Sequence, residues 1–357
     1  MKKIFMLGPM PPAIGGMATV LDNLSKSSLV NETTMHFWDT AKQTSENRSL
    51  FSAISYRFSA WKKFYKALNS EQPDFVHIHT CSGFTTFFLD ACFALMAKFK
   101  GIPYIIHIHG ATFDKFLSTL PKTKLKFVLY VLQNAKCIVA LSKEWQDIFQ
   151  DQWQLNNVSV IANGVPNPAF ERALNFNTKH ILFMGQVCTR KGTKDLVKAF
   201  AKADTDAVLH LAGDFGGDVS RADLEQFISE HPNVMQNIVV EGPVMGEKKR
   251  ALMELCDIFC LPSYAEGLPM VVLEAMSYKQ AVLTTKVGGL PGLITHDENG
   301  MLCAAGDIEA ISDGIKGLVT QVDNTHKIAI NGYNTFASQY STDAIVKYYT
   351  ALYNAPL

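Results

Sequence analysis

Glu266 and Glu274 have more chemistry to offer than any other residues of this chain, because they interrupt a stretch that otherwise reads as buried: Ser263-Tyr264-Ala265-Glu266-Gly267-Leu268-Pro269-Met270-Val271-Val272-Leu273-Glu274-Ala275-Met276. Pro269 suits the first position of a helix. Glu266 then falls in the loop ahead of that helix, and Glu274 more than one turn inside it. In such a helix the N–H groups of Met270 and Val271 have no intrahelical acceptor, so they can bind the oxygens of a phosphate. A carboxylate inside an apolar run is costly to bury unless it accepts hydrogen bonds. Ribose hydroxyls are natural donors for Glu274, and the plainer reading, a helix carboxylate that caps or reaches solvent, is the lesser one.

Two other segments pair a strand end with anion chemistry. In Met184-Gly185-Gln186-Val187-Cys188-Thr189-Arg190-Lys191-Gly192, Arg190 and Lys191 follow a strand and precede a helix expected to begin near Thr193. Cations at that edge of a parallel sheet point into the crevice where ligands bind, and can neutralise a diphosphate leaving group. In Gly8-Pro9-Met10-Pro11-Pro12-Ala13-Ile14-Gly15-Gly16-Met17 a stiff turn is followed by Gly15 and Gly16 at a helix start, where backbone can approach a bulky polar ligand. This segment matches neither the dinucleotide fingerprint nor the Walker loop. His77 and His79, and likewise His107 and His109, share one face of a strand. A metal reading of these four is set aside as a chance product of adjacent strands at a sheet edge.

The elements that must hold these residues alternate between short apolar runs and longer amphipathic stretches, the pattern of parallel sheets covered by helices. Strands are expected at 3–8, 74–79, 103–109, 137–141 and 158–162, then at 180–185, 207–212, 237–241, 257–262 and 281–284, with crossover helices such as 55–68 and 84–98. The turn formers Asn163-Gly164-Val165-Pro166-Asn167-Pro168 mark a linker. The expected organisation is a first domain over 1–165, a second over 166–335, and a C-terminal helix over 336–357 that folds back towards the first domain.

Composition narrows the class. The chain of 357 residues has 48% hydrophobic residues and no net charge, which argues against a nucleic-acid partner. Residues 1–165 carry 17 Lys and Arg against 11 Asp and Glu, and the remainder 16 against 22. An anionic membrane surface is therefore an expected partner of the first half, through Arg57, Lys62, Lys63 and Lys66 beside Trp61 and Phe64, and through Lys115, Lys122, Lys124 and Lys126 near Phe116 and Phe127. The seven cysteines lack the spacing of a zinc site or a disulfide framework; with Cys256 and Cys260 read as core thiols, a cytoplasmic setting at the inner face of the membrane is expected. The opening Met1–Leu7 reads as a first strand and not as a signal peptide. No stretch is long and apolar enough to span a membrane.

Taken together, the Gly15-Gly16 loop, Asn163-Gly164-Val165, Lys191-Gly192, the spaced Glu266 and Glu274, and Gly288-Gly289 followed by Asn299-Gly300 resemble glycosyltransferase family 4. The order and spacing of these motifs over nearly the whole chain carry the resemblance. It implies an α/β protein of GT-B architecture, with two doubly wound Rossmann-like domains facing a cleft, that moves a hexose with retention from a nucleotide sugar to a glycan or lipid-linked acceptor. A UDP-sugar is the first expectation and GDP-mannose the second.

It also implies that Glu266 and His109 act at the donor sugar and Glu274 at the ribose. Lys191 would bind the diphosphate, and Val244, in Glu241-Gly242-Pro243-Val244, would lie in the loop that recognises the base. Gly15, Gly16, Gly267, Leu268, Met270 and Val271 would complete the donor site. Gln186 stands where the family has an arginine, so that either Arg190 supplies the missing charge or the diphosphate is held less tightly. No metal or other cofactor is expected. The rival readings are an epimerase or hydrolase of the same fold, a metal-dependent transferase using Asp204 and Asp206, and an idle scaffold.

Overall fold

The computed structural model describes the chain apart from residues 14, 42–49, 169–178 and 356–357 and the side chains of 50–57. It divides into two compact units: Met1–Gly164 with Thr342–Leu357, and Val165–Ser341. The chain thus leaves the first unit at Gly164 and re-enters it at Thr342, and its last helix, Thr342–Asn354, is part of that first unit.

Among the described residues each unit is built on one parallel sheet of six strands. In the first, β1 (Lys3–Gly8), β2 (Thr34–Asp39), β3 (Phe75–Thr80), β4 (Tyr104–Ile108), β5 (Cys137–Ala140) and β6 (Val158–Val160) lie in the order β2-β1-β3-β4-β5-β6. In the second, β7 (His180–Met184), β8 (Val208–Ala212), β9 (Ile238–Gly242), β10 (Ile258–Leu261), β11 (Ala281–Thr285) and β12 (Met301–Cys303) lie in the order β12-β11-β10-β7-β8-β9. Central strands covered on both faces must be apolar throughout, and Ile-Phe-Cys-Leu of β10 is buried at every position. Helices alternate instead. Thr193–Ala203 buries Leu196, Val197, Ala199, Phe200 and Ala203 while Lys198 and Lys202 stay exposed.

Sequence reading misses β2 and β12. β2, Thr-Met-His-Phe-Trp-Asp, is an edge strand without an apolar run, and β12 is only three residues long. Asp204 and Asp206 lie in the turn between Thr193–Ala203 and β8, where Asp206 pairs with Lys179 in an exposed contact, so they form no carboxylate site. Cys256 and Cys260 are core thiols, and none of the seven cysteines forms a disulfide in the structure.

The four histidines lie at the sheet centre, not at an edge. β3 and β4 are interior strands, and in their register His79 faces His107. Side chains two residues apart on one strand share a face and stack, as do those across to the next strand: the His77–His79 and His107–His109 rings lie 4.9 and 4.3 Å apart along their strands, and His79–His109 5.0 Å apart between strands. The last helix covers this face, with the Tyr353 hydroxyl 2.7 Å from His77 Nδ1 and the Tyr349 hydroxyl 3.3 Å from His107 Nδ1. Burial, followed by the neighbouring imidazoles, holds His77 down at about 3 and His79 and His107 well below the usual imidazole range.

A depressed imidazole makes stability depend on pH with a definite sign. Unfolded histidines titrate near 6.5, so below that pH the unfolded chain takes up protons that the native face refuses; stability is present above it and lost as pH falls. Each buried histidine contributes a slope of about 1.4 kcal/mol per pH unit. His109, at the end of the same face, is held down at about 3 as well, which makes four such histidines; Asp90, which burial pushes up to about 7 although the Thr80 hydroxyl donates to it, works in the opposite direction and offsets one of the four. We expect the first unit to be about 3 to 4 kcal/mol less stable at about pH 5.5 than at about pH 7.5. All four tryptophans, Trp38, Trp61, Trp145 and Trp153, lie in that unit, so urea unfolding followed by tryptophan fluorescence reports on it alone. An unchanged midpoint would contradict this pH dependence.

Candidate active site

In a doubly wound sheet, ligands bind beyond the carboxyl ends of the strands where the strand order reverses. In the second unit that point lies between β7 and β10, since β7 neighbours β8 on one side and β10 on the other. The loops that leave these two strands carry Lys191 and Glu266, and the topology brings them together. Lys191 Nζ donates to Glu266 Oε1 at 2.5 Å, with 11% and 6% of the two side chains exposed. Ser263 Oγ donates to the same oxygen at 2.6 Å. Around the pair, Tyr264 N–H donates to the Arg190 carbonyl at 2.8 Å, and Arg190 Nη1 to the Ala265 carbonyl at 3.0 Å.

Close backbone approach sets this geometry. Gly192 has φ +69° at the turn into its helix, and a Cβ there would stand 2.1 Å from the Pro262 carbonyl. Gly288, with φ +55°, lies against the other side of the loop, where a Cβ would stand 1.8 Å from the Glu266 carbonyl oxygen. Gly289 N–H then donates to the Gly267 carbonyl at 2.7 Å.

Pro269 is not the first helical residue. It is the extended residue before the helix Met270–Ser277, with ψ 123°, so the helix starts one position later than the sequence suggests. Its carbonyl accepts from Val272 at 3.1 Å and Leu273 at 3.5 Å, whereas the N–H groups of Met270 and Val271 have no acceptor among the described residues. Gly267 and Leu268 are buried in the turn that leads to them. Glu274 sits on this helix with 14% of its side chain exposed, and Lys249 Nζ lies 2.8 Å from each of its oxygens. Lys249 belongs to the helix Gly246–Leu255, which begins just after Val244 in the loop leaving β9.

Gln186 is exposed and lies against the loop that leaves β8: a Cβ on Gly216 would come within 2.5 Å of Gln186 Nε2. Two bonds fasten that loop, from Val187 N–H to the Asp214 carbonyl at 2.9 Å and from Thr189 N–H to Asp218 Oδ1 at 3.1 Å. Hydrogen bonds from Thr189 hold the Asp218 carboxyl below its usual range.

In the first unit, Gly15 has φ +145° and precedes the helix Gly16–Ser25, as expected of a glycine pair that opens a helix. His109 follows β4, half-buried, with Nε2 2.8 Å from His79 Nδ1. Burial holds it down at about 3. A neutral imidazole can exchange hydrogen bonds with a hydroxyl but supplies no charge.

The structure thus joins Glu266, Lys191 and Arg190, and sets the Met270–Val271 N–H groups and Glu274 on the following helix. The sequence suggests Lys191 as a cation free for a diphosphate, yet its ammonium is committed to Glu266. Ser263, Lys249 and Asp218 have no role in the sequence reading. Lys249 lies in Gly246-Glu247-Lys248-Lys249-Arg250, which reads as a solvated helix face, and nothing local announces its partner.

The strain at Gly288 is testable. Gly288→Ala should destabilise the protein by about 2 kcal/mol or more and lower turnover as well, because the Glu266 loop must move. Gly317→Ala, in the helix Ile308–Thr320 with open space at the added Cβ, should leave both unchanged or raise stability by about 0.5–1 kcal/mol. Urea midpoints and turnover for the two variants make the comparison. Equal effects from both would remove the close-approach argument.

Residues 167–335 match the family model described as glycosyl transferases group 1, and residues 32–167 match that of glycosyltransferase family 4. The chain is 23% identical to the GDP-mannose:cellobiosyl-diphosphopolyprenol alpha-mannosyltransferase of Xanthomonas oryzae, over 100% of this chain and 97% of that one. It is 25% identical to the UDP-Gal:alpha-D-GlcNAc-diphosphoundecaprenol alpha-1,3-galactosyltransferase of Escherichia coli, over 76% and 74% of the two chains. The crystal structure of Anabaena HepE in complex with UDP superposes with a TM-score of 0.79 at 17% identity and covers 100% of both chains. With both halves matched and two doubly wound parallel sheets in place, the chain belongs to the glycosyltransferases of family 4 type, with the GT-B fold.

Proposed function

We propose that this transferase moves a hexose, with retention, from a nucleoside diphosphate sugar to a lipid-linked or glycan acceptor in the synthesis of cell-surface polysaccharide or glycolipid. A UDP-sugar is the favoured donor and GDP-mannose the second. The observation that carries this reading is the meeting of Lys191, Glu266 and the open helix start at Met270–Val271 at the switch point of the second unit. The names of the two relatives support it: one specifies a UDP-sugar, the other GDP-mannose, and both an acceptor carried on a diphosphopolyprenol.

In this reading the diphosphate lies at the N–H groups of Met270 and Val271, where the helix dipole favours negative charge, with the exposed Arg190 at hand for the charge that grows as the sugar–phosphate bond breaks, while Lys191 stays with Glu266. Glu266 faces the sugar, on which positive charge develops, and its carboxylate interacts with that state more strongly than with the ground state. Glu274 accepts from the ribose hydroxyls. These fixed donors and cations do the work of a divalent metal, so turnover needs none.

Binding and turnover should fail separately. Glu274→Gln should weaken nucleotide binding about ten- to hundredfold through loss of a charge-assisted hydrogen bond. Glu266→Gln should lower turnover more than donor affinity. Thermal shifts with a panel of nucleotide sugars select the donor; calorimetry and a transfer assay, with and without EDTA, then measure both variants. Free nucleotide without a glycosylated product, turnover abolished by EDTA and restored by magnesium or manganese, or normal turnover in Glu266→Gln would each refute its part of this reading.

The acceptor class implies an anionic membrane surface as a partner of the first unit. Lys62, Lys63, Lys66, Lys115, Lys122, Lys124 and Lys126 are all exposed, but Phe64 is fully buried in the core and cannot anchor anything; Arg57 lies outside the described side chains. Phe88, Tyr130 and Phe99, at 42%, 48% and 79% exposure, supply the apolar contacts instead. Among the described residues no helix is long and apolar enough to cross a membrane. The protein should sediment with anionic vesicles at low salt and be released at high salt. Failure to pellet at low salt would point to a water-soluble acceptor.

A further inference from the structure

Glu266 is held asymmetrically. Both of its donors, Lys191 Nζ at 2.5 Å and Ser263 Oγ at 2.6 Å, converge on Oε1. Oε2 has no partner among the described residues and is not sealed from solvent. Two donors on one oxygen fix the torsion of the carboxylate and draw its negative charge into the protein on that side. The other oxygen is left to meet a ligand.

The two donors contribute different things. Lys191 supplies charge at the end of a flexible stem, and charge alone specifies no direction. Ser263 supplies direction. Its side chain is short and fully buried, and its own carbonyl accepts from Thr285 Oγ1 at 2.5 Å, which ties the residue to the end of β11. A hydroxyl fixed in this way can satisfy Oε1 in only one orientation of the Glu266 side chain.

We propose that Ser263 is a positioning residue that commits Oε1 of Glu266 and thereby presents Oε2 alone to the donor sugar; this rests on the assignment of Glu266 to the sugar. Because Ser263 acts on the orientation of one carboxylate and touches no part of the nucleotide, its loss should appear in turnover and not in binding. Ser263→Ala leaves the Lys191 ion pair in place, so neither an unpaired buried charge nor a large cavity is created, and the variant is expected to fold.

The test compares wild type with Ser263→Ala, Ser263→Thr, Ser263→Cys and Glu266→Gln, measuring kcat and KM for the donor, the nucleotide Kd and the melting temperature. Ser263→Ala should lose about tenfold or more in kcat, with Kd within about twofold of wild type. Ser263→Thr, which restores the hydroxyl, should recover most of the loss, and Ser263→Cys, a weak donor of similar size, should fall between. Full kcat in Ser263→Ala, where Glu266→Gln has lost it, overturns the positioning role while Glu266 keeps its place at the sugar. Normal turnover in Glu266→Gln removes the assignment of Glu266 and this inference with it. If Ser263→Ala proves unstable, Ser263→Cys decides the matter: kcat equal to wild type rejects the proposal, and a partial loss with unchanged Kd supports it.

Discussion

The Lys191–Glu266 ion pair is the constraint on which the organisation of the second unit turns. Two opposite charges with so little exposure are costly to remove from water, and their attraction repays that cost only where geometry is tight and the remaining hydrogen bonds are met. Breaking such a pair by removing one partner typically costs about 3–5 kcal/mol, whereas an apolar replacement of both is often neutral. Stability is therefore a poor reason for the pair to exist. Its setting, at the one place where the strand order of the sheet reverses, gives a better one.

The backbone bears the consequences of that pair. To bring a residue after β7 within hydrogen-bond distance of one after β10, the chain needs Gly192 against Pro262 and Gly288 against Glu266, two positions where a side chain would collide with a carbonyl. Ser263 and the carbonyl contacts of Arg190 complete the enclosure. The neighbouring carboxylate is treated in the same way, since Glu274 is also matched by a lysine, Lys249. Each glutamate thus has a lysine of its own in a poorly solvated place, and among the described residues the two N–H groups at Met270 and Val271 are left as unspent positive dipoles.

The first unit meets a comparable problem with different means. Its central strands carry a histidine-lined face, and the chain returns at Thr342 to lay a helix over it, with Tyr349 and Tyr353 offering hydroxyls to ring nitrogens. Neutral imidazoles stacked on one another tolerate burial that charged ones would not. The polar face is thus kept uncharged, whereas in the second unit each carboxylate is paired with a lysine.

How much of this was legible in the sequence follows from what each feature depends on. Ten of the twelve described strands, the parallel doubly wound class, the helix that carries Glu274 and the open N–H groups at its start follow from local pattern, because apolar runs, proline and glycine act over a few residues. The motifs that mark the chain as a glycosyltransferase are likewise linear. What tertiary structure alone decided is who meets whom. Lys191 stands opposite Glu266 and Lys249 opposite Glu274 only because strand order places distant loops side by side; Phe64 turns inward and the histidines stack because of the sheet they join. Pairing across a sheet depends on order and register, and neither is encoded in the few residues around a charge.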